Sequence, residues 1–117
     1  MDLIQIADRA IDKIKEIEGI NKIILYGSVA RGNYSENSDI DLAVVLDDSL
    51  KMTMLDMEGF PVGYRESIGN LTKSLKTQND VKFHITLYYS SDLEKNVKLG
   101  RDILQEVGIV KFESCFY

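Results

Sequence analysis

The chain has 117 residues, 44% of them hydrophobic, enough for one compact domain with a packed core and short for two. Its formal charge of −5 argues against a surface that grips a nucleic-acid backbone, because such surfaces gather Lys and Arg on one face to neutralise phosphates. A single cysteine, Cys115, offers neither an internal disulfide nor a zinc-ligand spacing, which fits the reducing conditions of the cytoplasm.

In chain order, residues 3–18 place Leu3, Ile6, Ala7, Ala10, Ile14 and Ile17 three and four apart. Asp8, Arg9, Asp12, Lys13 and Glu16 stand between them, the pattern of an amphipathic helix that Gly19 would cap. Acids among these apolar residues exclude a secretory signal, and no apolar run reaches the roughly 20 residues of a membrane-spanning helix. KIILY, residues 22–26, is a β-branched apolar run stopped by Gly27, and DIDLAVVL, residues 39–46, is a second; both predict buried strands. Between them, GSVARGNYSENS reads as a turn, one turn of helix at 28–31 and a loop.

The next segment, SLKMTMLDMEGFPVG, contains the one proline, Pro61. Its Met52, Met54, Met57 and Phe60 are expected to pack a loop or short helix, with a partner-facing surface as the alternative. From Tyr64, apolar Ile68, Leu71 and Leu75 recur at helical spacing to about Gln78. VKFHITLYY, residues 81–89, then alternates: Val81, Phe83, Ile85 and Leu87 on one face, Lys82, His84, Thr86 and Tyr88 on the other. Residues 91–107 suggest further helices, with Leu99, Ile103 and Val107 inward and Gly108 as a cap, before the short run IVKF. Cys115, near Phe112, Phe116 and Tyr117, reads as a packing residue. Helices alternating with strands imply an α/β fold, α+β in some schemes, in which helices cover a small mixed sheet.

The residues that carry chemistry lie between the first two strands. A strand followed by Gly27-Ser28 and a short helix can aim backbone N–H groups and a hydroxyl at an anion. This is not a P-loop, since Asn33-Tyr34 stands where Lys-Ser/Thr is required, nor a dinucleotide turn, since Val29 replaces its second glycine. Asp39 and Asp41, two apart at a strand, project to one face, where like charges call for a cation; Mg²⁺ takes one or two carboxylates plus substrate phosphates. The alternative is structural, with Ser38-Asp39 capping the loop and Asp41 facing water from an edge strand.

Taken together, GSVARGNYSENSDIDL closely resembles the signature of the polymerase-β-type nucleotidyltransferase superfamily, in which Gly-Ser is followed ten residues later by Asp-x-Asp; here Val29 through Ser38 fill the spacer. The short length, the N-terminal helix and the tail ILQEVGIVKF resemble its minimal nucleotidyltransferases over most of the chain. The resemblance implies a nucleotidyltransferase fold in which Gly27 and Ser28 hold the β- and γ-phosphates, Arg31 reaches the triphosphate, and Asp39 and Asp41 ligate Mg²⁺. It implies in-line attack of a hydroxyl on the α-phosphorus of an NTP, with pyrophosphate leaving. It further implies ATP as the nucleotide and a small all-helical HEPN-like protein as the partner, with this chain as the antitoxin of a toxin–antitoxin pair that transfers AMP to the partner's hydroxyl.

The family's third carboxylate comes from a later strand, and matching FHITLYYSSDLEKN to that strand puts His84 in its place. Asp80 shares the parity of His84 but lies four residues away, roughly 13 Å along a strand. His84 has three readings: a substitute base or ligand, a structural histidine, or the mark of a nucleotide-binding site without turnover. The last gives an alternative function, an antitoxin or regulatory subunit acting by stoichiometric binding of its helical partner. A subunit completed by a second chain into a small-molecule-modifying enzyme is a third, and a homo-oligomer stays open.

Overall fold

The computed structural model describes residues 2–35, 37–95 and 108–114. The N-terminal apolar spacing produces helix α1, Leu3–Ile14, whose start is set by a capping box. The Asp2 carboxylate accepts from Gln5 N at 2.9 Å, and Asp2 N donates to the Gln5 side chain at 3.3 Å. Leu3, Ile6, Ala7, Ala10, Ile11 and Ile14 turn inward. The helix stops four residues short of the expected Ile17–Glu18 end, where the N–H of Ile17 bonds the carbonyl three residues back and tightens the chain into turns. Gly19 therefore does not cap it. Gly19 instead turns the chain, at φ +87°, into β1, and a Cβ there would lie 2.6 Å from Leu50 Cδ1.

Strands β1, Ile20–Tyr26, β2, Ile40–Leu46, β3, Phe83–Tyr89, and β4, Ile109–Glu113, form one sheet in the order β3-β2-β1-β4. β1 runs antiparallel to both β2 and β4, and β3 runs parallel to β2, so the sheet is mixed as expected. Helix α3, Tyr64–Asn79, is the crossover that parallel pairing requires. It buries Ile68, Thr72 and Leu75, and Thr72 satisfies its hydroxyl on the Ile68 and Gly69 carbonyls. Helix α2, Gly27–Arg31, is the single turn foreseen after β1, and α4, Ser90–Lys95, follows β3. The expected inward positions Leu99, Ile103 and Val107, and the packing role of Cys115 with Phe116 and Tyr117, lie outside the described residues.

The sheet has two unlike faces. Ile40, Leu42, Val44 and Leu46 of β2 join Ile23 and Leu25 of β1, Leu87 of β3 and the inner sides of α1 and α3 in the main core. The opposite face holds Ile24, Ala43 and Val45, with Tyr26 and Tyr88 packed against them. Every residue from Leu42 to Leu46 is buried, so that run of β2 is covered on both sides and reads as continuous apolar sequence.

The methionine segment differs from the packing expectation. After a 3₁₀ turn at Asp48–Met52 the chain folds a small hairpin, in which Asp56 N donates to Phe60 O at 2.7 Å and Val62 N to Met54 O at 3.0 Å. Phe60 stacks on Tyr89 with ring centroids 5.3 Å apart, while Met52, Met54 and Met57 are exposed. The hairpin satisfies its own backbone and anchors through Phe60, so the methionines need no core contact.

Candidate functional site

The pairing register assembles the site. Antiparallel pairing sets Tyr26 of β1 opposite Asp41 of β2, and parallel pairing sets Asp41 beside His84 of β3. Paired residues share a face, so Tyr26, Asp41 and His84 form a row across three strands, on the face opposite α1 and α3. His84 thus stands where the strand alternation placed it, and its Nδ1 lies 3.1 Å from Asp41 Oδ1. An ionised carboxylate can only accept, so Nδ1 is the donor in this contact, and in the neutral imidazole that leaves Nε2 with its lone pair. The Asp41 side chain is 20% exposed and that of His84 68% exposed, an anchored acid beside an accessible imidazole.

Gly27 closes the other side of Asp41. It leaves β1 at φ +74°, a conformation disfavoured for any residue with a side chain, and starts α2 directly against the carboxylate. A Cβ at Gly27 would overlap Asp41 Oδ2 and lie 3.1 Å from its Cγ. One oxygen of Asp41 therefore meets His84 and the other meets the Gly27 backbone. Ser28 follows, half-buried, and Arg31 is exposed in the last residue of α2, before Gly32 reverses the chain at φ +79°.

Asp39 lies one residue before β2, exposed, with buried Ile40 between it and Asp41. Asp80 is not part of the row. It caps α3 at φ +51°, outside β3, and lines a separate cleft of about 720 Å³ with Asp2, Tyr34 and Asn37. Two residues that the motif did not single out do belong to the face. The Tyr26 hydroxyl and Thr86 Oγ1 are 3.4 Å apart, two positions along β3 from His84. Their signal was the strand parity itself, which puts Thr86 on the side of His84.

The donor set suits an ion shared with a substrate and does not form a closed cage. Among the described residues no three His, Cys, Asp or Glu side chains gather at metal-ligating reach. Asp39, exposed, and Asp41, partly buried, are hard oxygen donors two residues apart, and two is the number of carboxylates Mg²⁺ can take from protein when phosphates complete its shell.

A family model described as the nucleotidyltransferase domain matches residues 7–106. MJ0604 of Methanocaldococcus jannaschii, described as a protein adenylyltransferase, is 64% identical over 28 residues, a match that spans 24% of this chain and 28% of that protein. Among solved structures, a Sulfolobus solfataricus protein described as a nucleotidyltransferase aligns with a TM-score of 0.53 at 17% identity, over 95% of this chain and 80% of that one. A toxin–antitoxin structure with AMP-PNP aligns at 0.58 and 22% identity, over 92% of this chain and 74% of that one. A mutant MntA–HpeT toxin–antitoxin structure aligns at 0.53 and 19% identity, over 98% and 75%. At these identities the structures show a shared fold.

Proposed function

The chain belongs to the nucleotidyltransferase domain family, and from that membership we propose that it transfers AMP from ATP to a hydroxyl on a partner protein, as the antitoxin of a toxin–antitoxin pair with a small helical HEPN-like toxin. The observation that carries this reading is the arrangement at Asp41, held between the Gly27 backbone and His84 at the end of the motif GSVARGNYSENSDIDL. The toxin–antitoxin structures and the adenylyltransferase among its likenesses favour a toxin as the partner and an adenine nucleotide as the donor. In this reading residues 1–117 act as one domain, and the acceptor comes on another chain.

In this mechanism Gly27 and Ser28 bind the β- and γ-phosphates, the glycine by letting them approach the main chain and the serine by its hydroxyl. Arg31 adds a positive charge to the triphosphate from the end of α2. Asp39 and Asp41 would hold Mg²⁺, which when bound neutralises phosphate charge and stabilises the leaving pyrophosphate. His84 has the geometry of a base: Asp41 orients it through Nδ1, and the exposed Nε2 takes the proton of the attacking hydroxyl. The hydroxyl oxygen bonds to the α-phosphorus, and the bond to the bridging oxygen of pyrophosphate breaks.

The test is label transfer from α-³²P ATP to the protein encoded by the neighbouring gene. Transfer should need Mg²⁺ and vanish in Asp39→Ala and Asp41→Ala. His84→Ala should slow it by about 10²- to 10⁴-fold, the usual contribution of a positioned general base. Transfer that survives both aspartate changes rejects the site.

The absence of a third acidic side chain beside Asp41 among the described residues favours a second reading, stoichiometric binding of the helical partner without turnover. Neutralisation of the partner by the Asp39→Ala, Asp41→Ala double variant supports it. Loss of neutralisation from an intact complex rejects it.

A further inference from the structure

We propose that the outer edge of β3, with the groove beneath it, docks an extended acidic segment of another protein, which adds to the sheet as a further strand. All seven residues of β3 pair with β2 on one side, and among the described residues no strand lies on the other. Outward amide groups of such an edge are a template for pairing, and proteins ordinarily blunt them with Lys, Pro or a bulge. The strand FHITLYY contains no Lys or Pro, and its register against β2 is unbroken.

Below the edge, a groove of about 430 Å³ runs between β3 and α3. Phe83, Ile85 and Leu87 form its sheet wall at a spacing of two residues, the spacing at which a neighbouring strand would send its own side chains in. Gly69 lies in the α3 wall, and a Cβ added there would meet nothing within 4 Å. A glycine inside a helix weakens it, and no close contact calls for one at this position; its effect is to keep the groove open.

The rim selects the guest. Arg65, Lys73 and Lys76 border the groove on a chain whose net charge is −5. Arg65 pairs with Glu58 at 2.5 Å, whereas Lys73 and Lys76 have no ion-pair partner among the described residues. A local excess of cations on an acidic protein is complementary to a segment that alternates apolar residues with Asp or Glu. A second copy of this chain, docked edge to edge about a twofold axis, would bring the same cations against these.

The probe is a fluorescein-labelled nine-residue peptide alternating valine with glutamate, compared with its lysine counterpart and with a version carrying a central proline. The acidic peptide should bind the full chain in fluorescence anisotropy and slow hydrogen exchange at the β3 amides, and the lysine and proline peptides should bind at least about tenfold more weakly. Gly69→Leu, which fills the groove from a helix position with room for it, should weaken the acidic peptide by at least about tenfold without lowering Tm. Lys73→Glu with Lys76→Glu should reverse the preference toward the lysine peptide. Equal binding of all three peptides, binding indifferent to Gly69→Leu, protection away from β3, or a homodimer whose exchange protection falls on β3 would each overturn the proposal.

Discussion

At Gly27 the whole geometry of the candidate site depends on the absence of one carbon. The φ of +74° would strain any side chain by roughly 1–3 kcal/mol, and here the added methyl would also enter the space of the Asp41 carboxylate. Gly27→Ala is therefore expected to lower Tm and to displace Asp41 from His84. Label transfer should fall further than the loss of folded protein explains, which thermal melts and transfer assays on one preparation can separate. Transfer at the wild-type rate would contradict the contact. The glycine was legible in the sequence because Gly-Ser ends an apolar strand. That it touches Asp41 was not, since the contact joins positions 27 and 41 through a register no local pattern specifies.

Among the elements, the far end of β2 is organised by Asp47, which caps the 3₁₀ turn Asp48–Met52. The Ser49 hydroxyl, the Asn21 side-chain amide at 3.2 Å and Ser49 N at 3.0 Å all donate to its carboxylate, and these bonds hold it below the usual carboxylate range against the opposing effect of burial. A carboxyl depressed in the folded state contributes its full stability above the unfolded value, about 3.9, and loses it as pH falls through the folded value. The Tm difference between wild type and Asp47→Asn should thus be constant near neutral pH and close as the solution is acidified below about 4. A difference unchanged down to the lowest pH at which the chain folds would refute the assignment. The strands and α3 were readable from apolar spacing to within one or two residues. The early end of α1 and the exposed methionine hairpin were not, because both are decided by what packs against them: Gly19 by Leu50, and Phe60 by Tyr89.

For the molecule as a whole, stability rests on the face of the sheet that α1 and α3 cover. Leu25 is 1% exposed on that face, whereas Val110 of β4 is 49% exposed. Leu25→Ala should cost about 2–5 kcal/mol in chemical denaturation, and Val110→Ala should stay within about 0.5 kcal/mol; similar losses at both would mean that the core lies elsewhere. The sequence by itself determined the four strands and the helices α1, α2 and α3, that the sheet is mixed, and that a glycine-serine turn and an aspartate pair belong to one motif. These depend on periodicity and on spacing within one short stretch, which local sterics and burial express directly. Only the tertiary structure decided that Asp41 meets His84 and Gly27 at once, that Asp80 stays outside, and that β3 is, among the described residues, an edge strand with a basic groove below it. Each of these depends on how strands distant in sequence come into register, and the single residue by which such a register can slip moves every side chain to the opposite face.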